Sequence, residues 1–262
     1  MKKRLALVGI ILLAALAVAG YFVREACRET LKVGVDCTSK PYVYIDETGC
    51  VSGLDVDLAR AICKELGWKI EFVMMTFNMR DQVLASYAAD CIWAGITMTG
   101  RESLYEWVGP YTDNKICVMV RKDSSIKTPA DLAGKVIGVQ SSTTAETIFR
   151  PGGKYATLGS KLKNCIPYLD PARAVAHLAS KYIDAVVIDE AVAMEFTSEE
   201  KSLTILPEWL QKDQFGVAFG KDVPREKLEK FRAGFRKVVE NGTAAKISAK
   251  YFKGKNVVYF EK

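Results

Sequence analysis

The segment GITMTGRESLYEWVGPY, residues 95–111, sets Thr97, Thr99, Gly100 and Arg101 directly behind an apolar run and closes on Trp107 and Gly-Pro-Tyr. A guanidinium presents a planar fork of donors that matches a carboxylate, and neighbouring hydroxyls satisfy the lone pairs that the fork leaves over. The chemistry on offer is the capture of a small planar anion. Standing alone, the same residues also read as a surface loop in which Arg101 pairs with Glu102 or Glu106 in solvent. A second group of this kind follows the run KVIGVQ, where Ser142, Thr143 and Thr144 open the helical pattern SSTTAETIF. Free N–H groups and small hydroxyls at a helix start cradle an anion, and the ordinary alternative is an N-cap. The apolar run DAVVID ends in Asp189, a carboxylate that can meet an ammonium group or simply occupy a solvated turn.

The elements that position these residues follow from periodicity. LKVGVD (31–36) alternates as a strand, and DVDLARAICKELGW (55–68) sets Val56, Ala59, Ile62, Cys63 and Leu66 on one helical face with Gly67 as its stop. KIEFVMM alternates Ile70, Phe72 and Met74, a short helix covers Arg80 to Ala88, and CIWAGI (91–96) is an apolar strand. This β-α-β-α-β order predicts an α/β sheet with crossover helices, and ligands on such sheets gather at the carboxyl ends of strands. Asp36 and the Thr97–Arg101 segment both stand at such ends. A second unit begins after KICVMV (115–120). Thr128 as N-cap, Pro129 and Asp131 mark a helix start, and KVIGVQ, the helix PARAVAHLAS behind Asp170 and the strand DAVVID follow. The strand QFGVAF, a helix aligning Leu228, Phe231, Phe235 and Val238, and a last helix over 244–252 complete the chain.

The 262 residues, 49 % of them hydrophobic, suffice for one large domain or two small ones with a filled core. The net charge of +6 is interspersed rather than gathered in a stripe, so nucleic acid is not an expected partner. The seven cysteines form no C-x-x-C pair, which removes the zinc and thioredoxin-like spacings. Cys63, Cys91 and Cys117 fall in apolar patterns and read as core; Cys37 and Cys50 flank a hairpin-like segment, and the sequence leaves open whether they pair. Lys2, Lys3 and Arg4 precede the uncharged run LALVGIILLAALAVAGYFV, with Ala17-Val18-Ala19 before Gly20. Residues 1–27 thus read as a cleaved signal peptide or as a membrane anchor, and either places the remainder outside the cytoplasm.

KVGVDCTSKPYVYIDETGCVSGLDVDLARAICKELG, the threonine-rich arginine segment through GPY, IKTPADLAGKVIGVQSSTTAE, DAVVIDEAV and QFGVAFGKD occur in one order along the chain. In these stretches the chain resembles the bacterial extracellular solute-binding proteins of family 3, the amino-acid-binding components of ABC importers. The resemblance implies a two-lobed α/β fold of the periplasmic-binding-protein kind, type II. Residues 31–119 and 216–262 would form lobe one and 120–215 lobe two, closing on a ligand about two strand crossovers near Val118–Arg121 and Gln214–Phe215. It further implies that Arg101 with Thr97 grips an α-carboxylate, that Thr143 or Thr144 adds hydrogen bonds to it, and that Asp189 takes the α-ammonium. Asp36, Ser39, Tyr42, Phe77 and Trp93 would stand near the cleft wall, and Ala94 and Gly95 would offer carbonyls. Two departures are visible: Thr99-Gly100-Arg101-Glu102 is one residue shorter than the usual segment, and Ser142 stands where the family commonly has glycine. Gly100 can let the loop cut the corner, because glycine accepts backbone angles that other residues avoid.

The expected partners are a small amino acid and a membrane permease, with no cofactor or metal and a monomeric state. An enzyme on the same scaffold, such as a dehydratase acting on a small carboxylated ring, would need a placed acid or base. The single histidine, His177, lies mid-helix, which leaves carboxylates such as Glu102 and Glu190. A ligand-sensing domain without transport is the third reading.

Overall fold

The computed structural model describes residues 28–260, so the signal or anchor expected over 1–27 lies outside the described residues. The chain runs β1 (Thr30–Val35), a small sheet of β2 (Thr38–Ser39), β3 (Val43–Ile45) and β4 (Val51–Ser52), α1 (Leu54–Leu66), β5 (Lys69–Met74), α2 (Arg80–Ala85), β6 (Cys91–Thr97) and β7 (Glu106–Arg121). It continues through β8 (Val136–Gln140), α3 (Thr144–Thr147), α4 (Ala156–Gly159), β9 (Asn164–Tyr168), α5 (Pro171–Ala179), β10 (Ala185–Asp189) and α6 (Glu190–Glu199). β11 (Leu203–Ile205), β12 (Gln211–Phe219), α7 (Arg225–Glu240) and α8 (Thr243–Tyr251) complete it.

Strand order in the main sheet is β5-β1-β6-β12-β7-β10-β8-β9, with β11 on β7. The two long strands do the joining. β12 pairs with β6 only over Phe215–Phe219, and β7 pairs with β10 only over Ile116–Val120. Between those stretches Asp113, Asn114 and Lys115 face Gln214, Asp213 and Lys212 as a ribbon of two strands alone. Two α/β lobes therefore meet through this ribbon. It lies upstream of the Val118–Arg121 crossover expected from the sequence, because Val118 is already paired with Val187 and Arg121 with Leu203 inside the second lobe.

Helices cover both faces of each half-sheet, which is why the inner strands β6 and β10 read as apolar runs. Along β6, Cys91 and Trp93 enter one core while Ile92 and Ile96 enter another; along β7, Cys117 and Met119 oppose Ile116, Val118 and Val120 in the same way. On α7 the aligned Leu228, Phe231, Phe235 and Val238 are all buried against the first of these cores.

Four local differences have physical causes. β7 starts at Glu106 rather than near Lys115, because Gly109 and Pro110 sit within the strand at a register shift opposite Phe215–Val217 instead of ending it. Met74 is exposed, at the end of an edge strand whose only partner among the described residues is β1. Thr128 and Asp131 form the expected capping box, but Pro129–Leu132 closes only as a 3₁₀ turn before Ala133 becomes extended. Cys37 and Cys50 are free thiols. Their hairpin is held instead by the Asp46 carboxylate, whose Oδ1 accepts from Thr48 N, Thr48 Oγ1 and Cys50 N.

Candidate functional site

At the end of β6 the chain bends through Gly95, where a φ of 59° and the Phe215 ring 3.1 Å from any added Cβ would strain a side chain. The bend is fixed from behind. Asp55, on the first turn of α1 and 1 % exposed, accepts from Gly95 N and from the Tyr111 hydroxyl, both at 2.8 Å. Burial pushes its carboxyl up to about 7, against the lowering effect of those two donors. A carboxyl raised on folding binds its proton more tightly in the folded chain, so its contribution to stability is full below the unfolded value near 3.9 and is lost as pH rises through about 7. The thermal midpoint is expected to fall between pH 5 and pH 7.5, and Asp55→Asn to flatten that slope; an unchanged slope in the variant would assign it to other groups.

Beyond Thr97, the Arg101 N–H closes a turn on Met98 O, with Gly100 at a φ of 77°. The shortened loop thereby turns Arg101 inward, 7 % exposed. Its Nη1 donates to Thr97 O at 3.2 Å and to Thr144 Oγ1 at 3.1 Å, and its Nη2 to Ser142 O at 3.1 Å. Burial, then the neighbouring Arg80 guanidinium, lower the Arg101 pKa, while Tyr105 and Asp213 act the other way. Two buried cations close together favour an incoming anion.

From lobe two, β8 ends at Gln140 and the chain passes through Ser142, at a φ of 62°, into α3. α3 is a single turn rather than the helix expected over SSTTAETIF, so anion capture here rests on individual groups and not on a long dipole. Thr143 Oγ1 donates back to Gln140 O at 2.7 Å, and Thr144 Oγ1 meets Arg101. Asp189 closes β10 and accepts from the Asn114 amide of the ribbon. Burial raises its carboxyl to about 6; Asn114 opposes this, Asp213 adds to it, and Arg101 lowers it.

Phe77, Gly95, Thr97, Arg101, Thr143, Thr144 and Asp189 thus line one cavity between the lobes, together with Ser39, Ala94, Gln140 and Ala145. It leaves about 20 Å³ for the centre of a water-sized sphere, so an amino acid enters only when the lobes separate. Asp36, Tyr42 and Trp93 do not line it. Asp36 is spent on Thr38 N, Thr38 Oγ1, Phe77 N and, from the other lobe, Gln140 Nε2 at 3.0 Å. Tyr42 packs edge-on against Phe215 with ring centroids 5.1 Å apart. Trp93, fully buried, packs among Tyr111, Phe231 and Phe235. Gln140, Asn114 and Arg80 were not foreseen; only Gln140 carried a signal, its place at the end of an apolar strand.

The candidate acids and bases lie elsewhere. His177 Nδ1 is 2.8 Å from the Tyr168 hydroxyl, Glu190 pairs with Lys115 at 3.2 Å, and Glu102 is exposed. In a roomier groove on lobe one, lined by Asp81, Leu84, Tyr87, Leu104 and Pro224 among others, the Tyr105 hydroxyl donates to Asp81 and the Tyr87 hydroxyl to Asp222.

Residues 31–254 match the bacterial extracellular solute-binding proteins, family 3, and the chain belongs to that family. It is 30 % identical over 247 residues to ABC transporter arginine-binding protein 1 of Escherichia coli (strain K12), covering 92 % of this chain and 98 % of that one. It is 27 % identical to the L-cystine-binding protein TcyA of Bacillus subtilis (strain 168), over 85 % of this chain and 81 % of that protein. The structure of an ancestral arginine-binding protein bound to arginine superposes with a TM-score of 0.79 at 34 % identity, over 86 % of this chain and 99 % of the other. The two-lobed fold is that of the type II periplasmic amino-acid-binding proteins.

Proposed function

We propose that the cleft binds an α-amino acid as a zwitterion, outside the cytoplasm, and delivers it to an ABC import permease. The carboxylate lies on Arg101 with the hydroxyls of Thr97, Thr143 and Thr144, the ammonium on Asp189 with the Ala94 and Gly95 carbonyls, and the side chain toward Ser39, Phe77 and Gln140. The observation that carries this reading is that a buried arginine of one lobe and a strand-end carboxylate of the other line a single cavity. Opposite charges on opposite lobes give a zwitterion its reason to draw them together. The division this implies puts 31–112 and 215–260 in lobe one and 116–211 in lobe two, with closure about the ribbon between them. In this reading the ammonium occupies Asp189, the carboxylate that lines the cavity, and the site serves to bind and not to transform its ligand.

Thermal shift against L-amino acids tests this, with L-arginine and L-cystine first because relatives carry their names. At a hundred times its Kd an amino acid is expected to add about 2.7 kcal/mol to the apparent stability. If no amino acid at millimolar concentration moves the midpoint, the reading fails.

A further inference from the structure

Arg80 opens α2 and is 8 % exposed, yet it does not line the cavity. Its guanidinium stacks over the Phe77 ring at 4.7 Å, donates from Nε to the Tyr105 hydroxyl at 3.2 Å and from Nη1 to Phe77 O at 3.1 Å. The same Nη1 crosses the cleft to Ser142 O at 3.3 Å. That carbonyl already accepts from Arg101 Nη2 at 3.1 Å. A carbonyl oxygen has two lone pairs, so both donors are accommodated without competition. Ser142 holds a left-handed φ of 62° with its N–H on the Glu146 carboxylate at 2.7 Å, and the following peptide, whose Thr143 N–H donates to Gln140 O at 3.4 Å, presents the Ser142 carbonyl to both arginines. Other contacts across the cleft are the Arg101–Thr144 bond at 3.1 Å, a rim pairing of the exposed Lys40 with Glu195 at 3.1 Å and Glu199 at 3.6 Å, and Gln140 Nε2 with Asp36 at 3.0 Å and Thr38 at 3.5 Å. An exposed pair contributes little.

We propose that Arg80 is a positioning residue for ligand retention: it clamps the Ser142 peptide against Arg101, which holds Thr143 and Thr144 over the ligand carboxylate and keeps the lobes closed. This rests on the amino-acid reading above. Arg101 divides its donors between ligand and lobe, whereas Arg80 has no ligand to serve. Loss of Arg80 therefore acts on escape and not on capture.

The test uses the full chain and its Arg80→Met and Arg80→Lys variants, with L-arginine as probe in stopped-flow fluorescence and small-angle scattering in parallel. Arg80→Met, which keeps an apolar stem on Phe77, is expected to raise koff about tenfold with kon unchanged, and Arg80→Lys to raise it less, because an ammonium cannot hold Tyr105, Phe77 and Ser142 together. Arg80→Met is also expected to show the larger radius of gyration. An unchanged koff, or an equal loss in kon, would overturn the proposal. Should Arg80→Met not fold, Arg80→Lys decides on the same criterion. A wild-type chain that ignores L-arginine counts against arginine as the ligand; the scattering comparison still judges the clamp, and equal radii would sink it.

Discussion

Arg101→Ala should weaken amino-acid binding by at least about a hundredfold while the protein stays folded. Charge-assisted hydrogen bonds contribute about 1.5 to 3 kcal/mol each, and stripping one partner from a buried charge pair costs roughly 3 to 5 kcal/mol, with about 1.4 kcal/mol per decade of affinity. The fork is held ready by Thr97 O, Thr144 Oγ1 and Ser142 O, so little ordering remains to be done when a carboxylate arrives. Arg101→Lys should recover only part of the loss, since a point-like ammonium cannot reproduce bidentate contact. Removing the buried guanidinium also removes a charge that Arg80 repels, so the folded protein should tolerate the change. Calorimetry that finds wild-type affinity in a folded Arg101→Ala protein would return this residue to the surface loop it resembled in the sequence.

Asp189→Asn should be comparably severe for amino acids and nearly silent for the corresponding deaminated acids. The carboxylate works only as an anion. Burial raises it to about 6 in the free protein, so wild-type affinity for amino acids should fall as pH drops through about 6. Well below that value the loss should approach about tenfold per pH unit, the slope of a single required deprotonation. Asp189→Asn should be flat over the same range, and the deaminated acids should show no such fall in either protein. Stability moves the other way, because the raised carboxyl of Asp55 contributes most below its unfolded value. An affinity that declines while the thermal midpoint climbs separates protonation in the cleft from unfolding. Equal loss of amino acids and deaminated acids in Asp189→Asn would point to a distorted cleft instead of a missing ammonium partner.

The parts of this site visible in the sequence were those set by local rules. Thr97 and Asp189 stand at the ends of β6 and β10, where an apolar run stops and a polar group begins, and that pattern needs no knowledge of distant contacts. Arg101 by itself reads equally as a surface residue; the resemblance is what implies its role, and Gly100 at a φ of 77° is what turns it inward. Trp93 was misleading: alternation along β6 says that it faces away from Ile92 and Ile96, but not that α7 covers that face with Phe231 and Phe235. Asp36 stands just past the end of β1, yet its oxygens are taken by Phe77 and, from the other lobe, by Gln140, contacts 41 and 104 residues away in sequence. In the sequence Arg80 is only the start of a short helix, and the approach of Ser142 across the cleft gives it a role. α6 escaped notice because its burial is confined to Val192 and Ala193, too narrow a stripe to show a helical period.

The most direct measurement is a crystal structure of the protein with the amino acid that raises its thermal midpoint furthest. The account predicts the ligand between the lobes, its carboxylate within hydrogen-bond distance of the Arg101 guanidinium and of a hydroxyl at Thr143 or Thr144, and its ammonium on Asp189. A ligand bound outside the cleft, or one turned so that its carboxylate lies away from Arg101, would contradict it.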